Sequence, residues 1–217
     1  METTHLTAVF WDFGGVILSS PFDAFNEYEQ ANGLPIDFIR TVNSRNPDTN
    51  AWALIERREV DAAGFDQLFA DESEALGHRV PGRDVLGMLH GSVRPEMVTA
   101  LDRVIAAGLI TACLTNNVSS DRSSDTSDDH ARPEVDAVMA RFDHVIESSK
   151  VGCRKPEPEF YELACTAAGV DPAQVVFLDD LGINLKPARA MGMTTIKVLS
   201  AQQAIADLET VLSIPLR

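Results

Sequence analysis

Basic side chains are scarce in this chain. Eighteen lysines and arginines stand against 33 aspartates and glutamates, a net charge of −15. Nucleic acids and anionic membrane surfaces are held by cationic patches, so neither is an expected partner. Long apolar runs are missing too, and none approaches the ~20 residues of a membrane span. The opening METTHLTAVF has no basic segment followed by an apolar stretch, so no signal peptide is expected. Cysteine is sparse and odd in number. Cys113, Cys153 and Cys165 show no CxxC spacing, which argues against zinc and disulfides and for reduced thiols in a cytoplasmic protein. At 217 residues the chain can bury a core without such staples.

What is present is a change of texture. Residues 7–12, TAVFWD, read as an apolar strand ending in an acid. From about 21 to 90 the apolar residues recur three and four apart, as in PFDAFNEYEQANG, LPIDFIRTVNSR, NAWALIERREV and DAAGFDQLFADESEALG. That spacing predicts helices and no strand. From Pro95 onward, helical stretches alternate with the apolar runs LITACLT, DHVIES, QVVFLDD and TTIKVL. Such alternation predicts an α/β fold with a doubly wound parallel sheet covered on both faces. An all-helical insertion follows its first strand. Residues 1–18 and 92–217 form the expected core, and 19–91 the insertion. Residues 118–132, VSSDRSSDTSDDHAR, read as a polar surface loop.

Ligands of such sheets bind at the carboxyl ends of the strands. Those ends carry Asp12, then Thr115 followed by Asn116 and Asn117, then Asp179 and Asp180; Lys155 precedes a helix opened by proline. Three carboxylates on one rim repel one another unless a cation joins them, and oxygen donors of this kind suit Mg²⁺. Lys155 would keep Asp12 ionised. A cation and a lysine together attract a phosphate, Thr115 would bind its oxygens, and Asp12 would serve as nucleophile, forming an aspartyl-phosphate.

These stretches resemble the haloacid dehalogenase-like hydrolase superfamily. VFWDFGGVI looks like its first motif, with Asp12 at the nucleophile. CLTNN resembles the second, with Thr115 at the phosphate-binding hydroxyl. VGCRKPEPEFY is similar to the third, with Lys155 at its lysine. VVFLDDLGINLKPARAMGM resembles the fourth, with Asp179 and Asp180 at its acids. The last two stretches look most like the N-terminal phosphatase domain of mammalian soluble epoxide hydrolase. The resemblance implies a Rossmann-like core, a mobile type-1 helical cap and Mg²⁺ as cofactor. The metal would be held by Asp12, the Gly14 carbonyl and Asp180, with Asp179 bound directly or through water, and Asn184 would orient the cluster. Gly14, Gly15, Asn116 and Asn117 would line a small phosphorylated substrate. A monomer or homodimer is expected.

Phosphatases of this superfamily usually carry a second aspartate two residues after the nucleophile, to protonate the leaving group and activate water. Here that residue is Gly14. General acid–base catalysis is worth ~10²–10⁴-fold, so the loss is serious. Three readings follow: a phosphatase with another proton donor, for which Glu56 of the cap is a candidate; a binding module that has lost catalysis; or a metal-independent dehalogenase, although those relatives usually carry an aromatic residue at position 14. Ser19–Pro21 and Gly91–Pro95 are the expected hinges. Phe22, Phe25, Trp52 and Phe65 read as cap core, Arg57 and Arg58 as solvated helix charges, and Trp11 as core packing behind Asp12.

Overall fold

The computed structural model describes residues 5–89, 91–117 and 132–217. The expected polar loop therefore lies outside the described residues, apart from Arg132, which opens a helix. Five strands are formed: β1 Ala8–Trp11, β2 Ile110–Thr115, β3 His144–Glu147, β4 Val175–Asp179 and β5 Thr194–Lys197. All pairings are parallel, in the order β3-β2-β1-β4-β5. The chain thus runs outward from β1 to β3, returns across the sheet, and runs outward the other way. The reversal point lies at the carboxyl ends of β1, β2 and β4, the crevice where such sheets bind ligands.

Between β1 and β2 come α1 Phe22–Ala31, α2 Phe38–Ser44, α3 Ala51–Glu56, α4 Ala62–Glu74, α5 Gly82–Gly87 and α6 Pro95–Ala106. Then follow α7 Arg132–Met139, α8 Ser148–Val151, α9 Pro158–Ala168, α10 Gly182–Ala190 and α11 Ala201–Leu212. Local chemistry sets many of these boundaries. Asn50 and Asp61 cap α3 and α4 by accepting from Ala53 N–H and Gly64 N–H. Proline opens α6 and α9 in the first turn, where its missing N–H costs nothing.

β1, β2 and β4 are buried because both sheet faces are covered. Val9, Trp11, Cys113, Val176 and Leu178 pack with Met97 and Leu101 of α6 and Leu208 of α11. Phe10, Leu114 and Phe177 on the other face meet Phe160 and Tyr161 of α9 and Leu185 of α10. Trp11 is core, as expected. The helices α1 to α5 have a cluster of their own, built on Phe25, Phe38, Ile39, Phe65, Phe69 and Val85, with Phe22 and Trp52 against it. Those aromatics are core of the helical insertion, also as expected. The three cysteines are free and buried. Among the described residues no helix is long and apolar enough to cross a membrane.

Two local features depart from the sequence reading. The helix expected through Val60 ends at Glu56, because Arg58 takes a left-handed φ of 63°. α5 and the single-turn α8 are too short to give a periodic signal.

The linkers on either side of the insertion run side by side. Leu18 and Val93 form an antiparallel bridge. Ser19 N–H donates to Ser92 C=O at 2.8 Å, and Arg94 N–H to Ile17 C=O at 2.9 Å. The two expected hinge segments therefore lie together above the end of β1.

Candidate active site

Asp12 extends the β1 ladder by one residue, its N–H donating to Leu178 C=O at 2.8 Å. Its Oδ1 accepts from Phe13 N–H at 2.6 Å. Lys155 enters from the loop between α8 and α9 with a side chain only 1% exposed. Its Nζ stands 2.8 Å from Asp12 Oδ1 and 2.8 Å from Asp179 Oδ2. Asp179 is fully buried and fully engaged. Besides Lys155, it accepts from Leu181 N–H at 2.8 Å and from Asn184 Nδ2 at 3.1 Å on each oxygen. Asn184 is steadied in turn by Tyr161, whose hydroxyl donates to its carbonyl at 2.7 Å. Asp179 is thus the buried anchor that aims Lys155 at Asp12.

Asp180 points the other way, against the turn that follows Asp12. That turn, Phe13–Ile17, closes through Leu18 N–H to Phe13 C=O at 2.8 Å. Gly15 sits at φ 74°, and a Cβ there would lie 2.2 Å from Asp180 Oδ2. Glycine is required on both counts. Arg94 Nη1 donates to Gly15 C=O at 2.9 Å, tying the turn to the linker. Gly14 differs: a Cβ there meets nothing within 4 Å. Packing does not demand glycine at position 14.

Asp12, Asp179 and Asp180 offer oxygen atoms within 4.8 Å of one another. One ammonium faces three carboxylates, and the imbalance shows in their acidities. Burial pushes the Asp12 carboxyl up to about 8; Lys155 pulls it down and Asp179 pushes it up. Burial, then the Asp179 charge, pushes Asp180 up to about 6, with Lys155 opposing. Burial works against the charge of Lys155, yet Asp12 and Asp179 hold its pKa above the ordinary lysine range. An all-oxygen, over-acidic cluster of this kind fits a hard divalent cation.

Thr115 ends β2 almost buried, and its hydroxyl makes no hydrogen bond among the described residues. Asn116 pairs with the Lys155 backbone in both directions: its Nδ2 donates to Lys155 C=O at 2.9 Å and its Oδ1 accepts from Lys155 N–H at 2.9 Å. Asn117 turns instead toward the end of β3, donating to Glu147 Oε1 at 2.8 Å and accepting from Ser149 Oγ at 2.9 Å. The structure gathers Asp12, Lys155, Asp179, Asp180 and Asn184 tightly, places Gly14, Gly15, Thr115 and Asn116 beside them, and engages the Asn117 side chain elsewhere.

Sequence reasoning missed two arginines. Arg94 lies in one of the two expected hinge segments, with no other role expected of it. Arg154, directly before Lys155, was not singled out. Its Nε lies 2.5 Å from Glu56 Oε2, and its Nη1 donates to Pro47 C=O at 2.9 Å. Arg57 is corrected. It is not a solvated helix charge: its side chain is 15% exposed and pairs with Glu157 of the α9 N-cap at 3.0 Å. A basic residue just before the expected lysine was the available signal for Arg154.

A parallel α/β core with a carboxylate-rich crevice at its reversal point, under a helical insertion, points to a class of hydrolases. The chain belongs to the haloacid dehalogenase-like hydrolases, whose family profile matches residues 6–192. Among curated relatives it is 33% identical to mouse acyl-CoA dehydrogenase family member 10 over 96% of this chain, and 32% identical to mouse bifunctional epoxide hydrolase 2 over 95%. It spans only 19% and 39% of the length of those two proteins. It is also 26% identical to the Aspergillus oryzae sesquiterpene phosphatase astK, with 89% of each chain covered. The fold is that of a Bacteroides thetaiotaomicron family enzyme, bt-2542, solved with magnesium and inorganic phosphate (TM-score 0.60, 19% identity, 94% of this chain and 98% of that one).

Proposed function

We propose that this protein is a Mg²⁺-dependent phosphatase of a small phosphorylated metabolite, working through an aspartyl-phosphate on Asp12. The observation that carries this reading is the ammonium of Lys155, fixed 2.8 Å from Asp12 by a fully buried Asp179. A buried lysine and three clustered carboxylates are costly to assemble for packing alone.

Asp12, the Gly14 carbonyl and Asp180 would hold the cation, with Asp179 behind them. When bound, Mg²⁺ supplies positive charge that offsets the carboxylates and draws the phosphate into the crevice. Lys155 pulls down the Asp12 pKa that burial raises; with the charge of the cation added, Asp12 would be ionised, and Lys155 would also balance the phosphoryl oxygens. Thr115, its hydroxyl uncommitted, donates to one of those oxygens, and the backbone around Gly15 lets the substrate approach closely. Asn116 holds the Lys155 backbone in register. Residues 19–91 act as the cap, hinged at the paired linkers, and exclude water when closed.

The relatives support the phosphatase reading over the dehalogenase one, since a named phosphatase is matched over 89% of both chains and a named haloacid dehalogenase over only 49% of this chain. The acidic cluster also argues for a metal, which a metal-independent dehalogenase would not need. The test is phosphate release from sugar phosphates, acyl phosphates and p-nitrophenyl phosphate, by wild type and Asp12→Asn, each with Mg²⁺ and with chelator. Release that needs both Mg²⁺ and Asp12 supports the proposal. Halide release from 2-haloacids without metal, or no turnover at all, would overturn it.

A further inference from the structure

We propose that Glu56 is the proton donor and acceptor that replaces the carboxylate missing at position 14, reaching the leaving-group oxygen from the cap. The inference rests on the phosphatase reading above.

The geometry begins with the nucleophile. Displacement at phosphorus is in line, so the leaving oxygen lies on the far side of the phosphorus from Asp12. Glu56, the last residue of α3, is an acid from the insertion that bonds to the rim: its Oε2 accepts from Asn116 Nδ2 at 3.2 Å. Asn116 grips the Lys155 backbone through two hydrogen bonds, and Lys155 touches Asp12. Three consecutive contacts therefore lead from the cap carboxyl to the nucleophile.

The surroundings suit proton transfer. The Glu56 side chain is 12% exposed, shielded from bulk water. Burial is the largest influence on its acidity and raises its pKa above the ordinary glutamate value, with Arg154 first among the groups pulling it down. The facing charges are Arg154 on the α8–α9 loop and, further off, Lys155; Arg57 beside it is turned to Glu59 and Glu157. The Arg154 Nε contact is close but lacks hydrogen-bond alignment. Both named contacts fall on Oε2, and Oε1 makes no hydrogen bond among the described residues. One oxygen is thus held while the other is left to carry a proton.

The step balances. Asp12 Oδ bonds to phosphorus as the phosphorus–oxygen bond to the leaving group breaks, and the Glu56 proton passes to that oxygen, giving an alcohol and a Glu56 carboxylate. Water then attacks the phosphorus, its proton returns to Glu56, and the Asp12–phosphorus bond breaks to give inorganic phosphate and free Asp12.

The test is a series of phosphate monoesters graded by leaving group, from p-nitrophenyl phosphate through phenyl to alkyl phosphates. Wild type, Glu56→Gln and Glu56→Asp are compared, with folding checked by thermal melting. A nitrophenolate leaves without help, and an alkoxide does not. Glu56→Gln is expected to lose ~10²–10⁴-fold on alkyl phosphates and under tenfold on p-nitrophenyl phosphate. Glu56→Asp should recover part of the alkyl rate. The fall of the wild-type alkyl rate at high pH should vanish in Glu56→Gln. Equal losses across the series would make Glu56 only a strut between cap and core and overturn the proposal, as would no loss anywhere. Wild-type turnover of p-nitrophenyl phosphate separates that failure from failure of the phosphatase reading, which would take this proposal with it.

Discussion

Lys155 Nζ stands 2.8 Å from Asp12 Oδ1, inside a crevice where the lysine is almost wholly buried. The same ammonium touches Asp179, so one cation holds two carboxylates in place. Breaking a buried pair by removing one partner leaves an uncompensated charge and costs about 3–5 kcal/mol. Lys155→Met is therefore expected to lower the free energy of urea unfolding by that order and to abolish turnover. A change below about 1 kcal/mol would show that the cluster tolerates the loss, as surface pairs do.

Metal binding should be linked to protons. Asp12 sits near 8 and Asp180 near 6 in the metal-free protein, and both must be ionised to bind a cation. Mg²⁺ affinity is expected to rise between pH 6 and 8, with proton release seen as a buffer-dependent heat in titration calorimetry. The sign for stability is opposite. A carboxyl raised from 3.8 to about 8 binds more protons folded than unfolded throughout that window. The metal-free protein should lose stability as pH rises through it, and saturating Mg²⁺ should flatten the slope. A pH-independent affinity would contradict the linkage.

The two glycines after the nucleophile should respond differently. Gly15→Ala meets Asp180 at 2.2 Å in a left-handed conformation, so about 1–3 kcal/mol of stability and much of the Mg²⁺ affinity should be lost. Gly14→Ala has open space and an ordinary φ of −69°, and its stability should stay within about 0.5 kcal/mol of wild type. Thermal melts with and without Mg²⁺ check both.

Gly14→Asp carries the argument into chemistry. The space at position 14 admits a carboxylate, and an acid there would take over the task assigned to Glu56. In a Glu56→Gln background, Gly14→Asp is expected to restore at least ~10-fold of the alkyl-phosphate rate, a fraction of what general acid catalysis supplies. No restoration would place the deficit of Glu56→Gln somewhere other than proton transfer.

The sheet was legible because its central strands are continuous apolar runs, a pattern imposed by helices on both faces. The acids stood out because each ends such a run: Asp12 after VFW and Asp179 after VVFL. The pairing of Glu56 with Arg154 was not legible, since it joins the helical insertion to a core loop far along the chain. Its partner contact, Arg57 with Glu157, spans 100 residues. Local periodicity carries no information about such distant partners. Nor did the sequence show that Asp179 serves Lys155 while Asp180 faces Gly15, because adjacent strand-end residues point oppositely only once the sheet is built.

The most direct test of the central claim is the covalent intermediate. Protein mixed with Mg²⁺ and a reactive phosphate monoester is quenched in acid during turnover and mapped by peptide mass spectrometry. The account requires one phosphoryl group on the peptide carrying Asp12, absent after chelation and absent in Asp12→Asn. Turnover that proceeds with no phosphoryl group on that peptide, or that survives Asp12→Asn, would contradict it.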